Sequence, residues 1–158
     1  MTAKSTTVYG GDMNNNGPQF AIDNKIGPKN TDDKTFLSTR NMRAPWIEIE
    51  LSEMTTISGV EVTPVRTGVR YFQRVQIRGG ATSLSAQQDD KKMSVDTSQT
   101  FFAKYLGPHA TTGETIFISL NLPFAAKFVS FQSEFTSIGI SLSINEVRFL
   151  QGTTTKPL

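Results

Sequence analysis

Three stretches of this sequence carry residues whose types and spacing allow chemistry. The first is AIDNKIGPKNTDDK, residues 21–34, which packs acids, amides and a Gly-Pro into one loop. A loop so rich in oxygen is either a solvated connection, in which Asp23 and Asn24 cap a turn, or a cation site. The second is PVRTGVRYFQR, residues 64–74, with Arg66, Arg70 and Arg74 spread around Gly68. Guanidinium forks donate to vicinal hydroxyls, carboxylates and phosphates. Tyr71 or Phe72 beside them offers a ring for stacking, and the plain alternative is strand-edge solubility. The third is the carboxylate pair Glu48 and Glu50 in WIEIEL. Alternation places both on an outward face, where acids serve solubility.

Other chemistry is missing. The 158 residues include no Cys and one His. That removes thiol nucleophiles, disulfide scaffolds and Cys-zinc sites, and leaves His109 without the second His of a zinc cage. His109, in YLGPHATTG, reads as a solvated loop residue. No Gly-x-Ser-x-Gly or P-loop motif occurs, so an enzyme is not expected. The formal net charge is +2, and the Lys and Arg are scattered, which implies no nucleic-acid partner. No apolar run approaches the length of a membrane span, the start MTAKSTTVYGG has no apolar signal-peptide core, and no Asn-x-Ser/Thr acceptor is present.

The elements that must position these residues are strands. Ile47, Ile49 and Leu51 alternate with Glu48 and Glu50 over 46–51. Val60 and Val62 are in phase in ISGVEVTPV, and Val75 with Ile77 in QRVQIRGG, which ends on a glycine pair. TFFAKYL, TIFISLNLP and AKFVSFQSEF are further short β-rich runs. LSAQQDDKKM, residues 84–93, has helix-compatible composition but no apolar face, so a polar loop or a single turn is expected. Ile140, Leu142 and Ile144 share a face, and Val147 with Phe149 continues one residue out of phase. That slip at Asn145-Glu146 reads as a β-bulge. Short strands with Gly, Pro and Asn punctuation predict an all-β chain, an antiparallel jelly-roll β-sandwich. One domain is expected over 1–151, with 152–158 as a flexible tail. Trp46 starts its strand with parity opposite to Ile47 and Ile49, and a packing role is favoured over ligand stacking.

The order of AIDN, a polar loop, Ser-Thr, PWIEIEL, Ile-x-x-Val-x-Val, an Arg loop, Val-x-Ile-Arg-Gly and INEV resembles the discoidin, or coagulation-factor F5/8 type C, domains. Within them it is most similar to the fucolectin-like lectins, and it spans roughly residues 17–151. The resemblance implies the galactose-binding-like jelly-roll fold. It also implies a structural calcium held by the carboxylates of Asp23 and Glu146, the hydroxyl of Thr35 and the carbonyls of Phe20, Lys25 and Asn145. Six to eight hard oxygens in an irregular cage suit calcium.

In the lectin branch a His and two Arg on loops at one end hold the sugar. Arg66 matches the first Arg and Arg70 approximates the second. Ser38 stands where the His is expected, and the Asp that follows the first Arg is missing, so fucose specificity is not implied. Ser38, Arg66, Arg70 and Tyr71 form the expected ligand set, with Arg40, Asn41 and Arg43 on the neighbouring loop. The resemblance implies a non-catalytic carbohydrate-binding domain whose partners are glycans or glycoproteins, an extracellular setting, and a homo-oligomer or a place in a larger assembly. The alternative is a protein-interaction or cell-adhesion module of the same fold that binds no sugar.

Overall fold

The structure, a computed structural model, describes residues 1–6, 8–25, 36–38, 43–64, 72–84, 94–107, 114–135 and 141–152. The strands are β1 (Thr2–Ser5), β2 (Phe36–Leu37), β3 (Trp46–Thr63), β4 (Val75–Gly80), β5 (Thr100–Tyr105), β6 (Ile116–Ser133), β7 (Ser143–Ile144) and β8 (Glu146–Gln151). Every pairing among them is antiparallel. The larger sheet runs β1-β3-β6-β4-β5 with β8 also on β3, and β2-β7 forms a separate pair. One helical turn, Met13–Asn16, is capped by Asp12, whose carboxylate accepts from the Asn14 and Asn15 N–H groups.

Two pairs of runs that read as separate strands are fused. WIEIEL and ISGVEV are both β3, and TIFISLNLP and AKFVSFQS are both β6, each strand 18 residues long. No turn residue interrupts 51–57, so the chain continues through register shifts between Glu50 and Thr55 and between Ile57 and Gly59. Pro123 falls where the β3–β6 ladder is interrupted, so its missing N–H costs no ladder bond. Along one edge of β3, β1 pairs residues 47–50 and β8 pairs 57–63.

The core follows the alternation. Ile47, Ile49, Val60, Val62, Val75, Ile77, Val129 and Phe131 are all fully buried in one cluster with Phe36, Phe72, Leu142 and Ile144. The phase slip at Asn145 is real, but it is a change of sheet rather than a bulge within one pair. Ser143 and Ile144 pair with β2, Glu146 pairs with Thr63 of β3, and the Asn145 N–H between them donates to the Thr63 carbonyl at 2.8 Å.

The other face of the large sheet corrects the reading of Glu48. Glu50 stays partly exposed, but Glu48 is 1% exposed. Residues 82–84 and 96–99 lie over this face and supply its partners. Glu48 Oε1 accepts from Ser83 Oγ at 2.7 Å and pairs with Lys4 Nζ at 3.0 Å. Its Oε2 accepts from the Leu84 N–H at 2.6 Å and Gln99 Nε2 at 2.8 Å. Gln99 Oε1 accepts from Ser130 Oγ, which accepts from Gln132 Nε2 in turn. A buried charge is tolerable when its lone pairs are filled in this way. Trp46, on the same face, is buried as the packing reading expected. Leu84 is buried, and the rest of 84–93 lies outside the described residues.

Candidate functional site

The loop that follows the 3-10 turn Pro18–Ala21 meets the start of β8. Asn24 adopts a left-handed backbone, φ 60°, which turns the chain, and the Lys25 N–H donates to Asp23 Oδ1 at 3.0 Å. The turn expected of Asp23 and Asn24 therefore exists. It also brings Asp23 up against Glu146. Glu146 is 4% exposed, and its pKa is pushed up to about 6 from 4.5. Burial is the main cause and the Asp23 charge the second. The backbone N–H groups of Asn24 and Lys25 and the Arg148 charge offset only part of this. Glu146 Oε2 is buried with no hydrogen-bond partner among the described residues. Arg148 is engaged elsewhere, donating from Nη2 to Asn24 Oδ1 at 3.2 Å.

Two carboxylates held together, one of them buried with an unfilled oxygen, form an arrangement that a hard cation repairs. Among the described residues no three or more His, Cys, Asp or Glu side chains converge, so a cation here would need neutral oxygens besides the two acids. Calcium accepts such a set. Phe20 and Lys25 lie on the segment carrying Asp23, and Asn145 adjoins Glu146. Thr35 lies outside the described residues.

A second cluster lies where several connections meet. The Ala44 N–H donates to the Phe135 carbonyl at 2.7 Å, the Ser133 N–H to Pro45 at 2.9 Å, the Glu134 N–H to Arg74 at 2.9 Å and the Arg74 N–H to Leu106 at 3.0 Å. These bonds tie Ala44, Arg74, Leu106 and Phe135 into one end of the sandwich. Arg74 and Ala44 both take left-handed backbones, φ 49° and 46°. The Arg74 guanidinium sits 5.5 Å from the centre of the Phe135 ring. Glu134 below it pairs with Lys104 at 2.6 Å and Arg74 at 3.8 Å, and accepts from Gln76. Burial alone would raise its pKa, but the Gln76 bond and the Lys104 and Arg74 charges hold it below the usual carboxylate value.

Of the residues expected to hold a ligand, Arg40, Arg66, Arg70 and Tyr71 lie outside the described residues, as does His109. Ser38 is described and is corrected. It is fully buried, its N–H donates to the Leu142 carbonyl at 2.9 Å, and its hydroxyl accepts from the Leu142 N–H at 2.7 Å. That hydroxyl fastens β7 to the end of β2 and is closed to a ligand. Phe135 and the Glu48 network were not anticipated. The one available signal for the network was Ser130 and Gln132 alternating with Val129 and Phe131, which sets polar residues in register with Glu48 and Trp46.

No protein-family model matches the chain, and no curated protein does. Solved structures do. A fucolectin from striped bass (Morone saxatilis) serum superposes with a TM-score of 0.72 at 15% identity, over 98% of this chain and 48% of that one. The F5/8 type C domain of a Bacteroides fragilis protein gives 0.69 at 16% identity, over 94% and 89%. The family 32 carbohydrate-binding module of NanJ from Clostridium perfringens, solved with galactose, gives 0.66 at 16% identity, over 94% and 91%. At such identities the likeness is one of fold. The chain has the galactose-binding-like β-sandwich fold of carbohydrate-binding modules, F5/8 type C domains and fucolectins, as the sequence resemblance implied.

Proposed function

We propose that this chain is a non-catalytic, lectin-like glycan-binding domain, braced by a structural calcium ion. The observation that carries the reading is Glu146, buried with an unfilled oxygen beside Asp23, on a fold whose solved examples include a module bound to galactose. Asp23 and Glu146 would supply the carboxylates, with Phe20, Lys25 and Asn145 carbonyls and Thr35 completing the shell. The ion would neutralise the pair and fix the start of β8 against the 20–25 turn.

The sugar would sit at the end where Ala44, Arg74, Leu106 and Phe135 are tied together. Arg66 and Arg70 would donate to vicinal hydroxyls, with Arg40 and Tyr71 beside them, and Arg74 over Phe135 supports a charged and aromatic surface there. Fucose is not the expected sugar, because Ser38 is buried where the fucolectin His would donate. Single-site sugar affinity is weak, so an oligomer or a larger assembly would supply avidity.

The test is a glycan array probed with the full chain in calcium, beside an Arg66→Ala/Arg70→Ala variant. Binding to a defined glycan set that the variant loses supports the reading. No binding by the folded chain overturns it and turns attention to a protein-docking module.

A further inference from the structure

A cleft of about 110 Å³ opens on the covered face of the large sheet, lined by Thr2, Lys4, Glu48, Glu50, Ser83 and Phe128. It is built from β1, β3 and β6, not from the Ala44–Phe135 end. Its floor is rigid. Both Glu48 oxygens are filled, two partners each, by Lys4, Ser83, Leu84 and Gln99. The floor therefore asks nothing of a ligand.

The rim is loose. Glu50 accepts a long hydrogen bond from Thr2 Oγ1 at 3.3 Å and pairs with Lys127 Nζ at 3.4 Å, and its side chain is 44% exposed. Lys4 is 51% exposed, and among the described residues two of its three N–H donors are used, on Glu48 and Ser83. The rim thus offers a carboxylate acceptor, an ammonium donor and a hydroxyl. Phe128 pairs with Glu50 on one side and on the other with Gly80, which carries no side chain, and the Lys127 ammonium lies 5.9 Å from the centre of the Phe128 ring.

Charge decides the class of ligand. Lys4 and Lys127 balance Glu48 and Glu50, so the cleft has no net attraction for an anion or a cation. Paired donors and acceptors beside an aromatic ring suit adjacent hydroxyls on a ring with an apolar face. The volume is below that of ordinary small-molecule sites, so it takes one sugar unit rather than a chain. We infer that this cleft is a second, shallow subsite for a single neutral sugar ring, with Glu50 accepting from and Lys4 donating to adjacent hydroxyls, and Phe128 against the ring. It rests on the glycan-binding reading only for the chemical class of its ligand, and its residues are separate from the loop end.

The test is an amide NMR titration of the full chain with methyl galactoside, methyl glucoside and glucuronate. Shifts at Thr2, Lys4, Glu50 and Phe128 with a neutral glycoside are expected. Glu50→Gln, on an exposed rim position, should weaken that set about tenfold and leave any shifts at Arg74 and Phe135 unchanged. Glucuronate should bind no better than the glucoside. Loop-end shifts without cleft shifts would overturn this inference and leave the proposed function standing. Cleft shifts without loop-end shifts would leave this inference standing and remove the loop-end placement of the sugar from the proposed function. Silence at both, or a preference for glucuronate in the cleft, would overturn the inference as well.

Discussion

The Asp23 carboxylate lies close enough to Glu146 to help lift the Glu146 pKa to about 6, although Arg148 stands two residues along the same strand. Two acids from opposite ends of the sequence are thus held together where the fold, left to itself, would do better to separate them.

That pair gives the ion-free protein a pH dependence with a definite sign. Glu146 holds its proton more tightly folded than unfolded, since about 6 exceeds 4.5. Its contribution is full below pH 4.5 and gone above about 6, a loss of about 2 kcal/mol at 1.36 kcal/mol per unit. In EDTA, the stability difference between wild type and Glu146→Gln should move in the variant's favour by about that amount from pH 4.5 to pH 7. Urea unfolding at the two pH values measures it. A difference that stays flat would remove the raised pKa.

Calcium should reverse the penalty. Anything that binds only the folded state raises Tm with its free concentration. Scanning calorimetry of the protein in EDTA, then with excess calcium, should show a rise of several degrees. Asp23→Ala and Glu146→Gln should abolish the rise, and Glu146→Gln should unfold no earlier than wild type in EDTA. A rise that survives both substitutions would place the ion elsewhere.

Glu48 should be the costliest acid on the sheet to remove. Glu48→Ala strands Lys4, Gln99 and the Leu84 N–H and should cost about 3 kcal/mol, in the range for breaking a buried charge network. Lys4→Ala, at a half-exposed site, should cost about 1 kcal/mol or less. Paired denaturant titrations check the order, and equal losses would mean that Glu48 is not the hub.

Ser38→Ala should destabilise by about 1–3 kcal/mol, because it leaves the buried Leu142 N–H without its acceptor. Glycan binding should persist under conditions where the variant is folded. Loss of binding in a fully folded Ser38→Ala would return Ser38 to the ligand set.

Arg74→Gly separates backbone from side chain. A left-handed φ costs an arginine about 1 kcal/mol that glycine does not pay. The variant should keep or gain thermal stability while losing sugar affinity, because the guanidinium over Phe135 belongs to the proposed ligand surface. Calorimetry and the glycan array together read the two effects.

Much of this was legible because alternation is a strong signal. Ile47, Ile49, Val60, Val62, Val75 and Ile77 fall on the core face as their spacing required. The pairing of Asp23 with Glu146 was reachable only through the family resemblance, since nothing local links residues so far apart. Glu48 was misread because alternation assigns a face but cannot say what covers it. Residues 82–84 and 96–99 lie over that face, and their sequence resembles an ordinary polar connection. The fused strands β3 and β6 were cut in two because a register shift changes phase as a turn does, and in β6 Pro123 at the interruption looks like a turn residue as well.

The change of sheet at Asn145 carries one more consequence. Among the described residues the pair β2-β7 has two residue partners in register, Phe36 with Ile144 and Leu37 with Ser143, so it has little cooperativity of its own. Its backbone attachment to the rest runs through the Asn145 N–H on Thr63 and the isolated bridge between Val8 and Ser38. A cation on Glu146 would therefore act as a latch on this small unit. Its effect on hydrogen exchange would be concentrated at Phe36, Ser38 and Leu142, while β4 and β5 opened at their own rate.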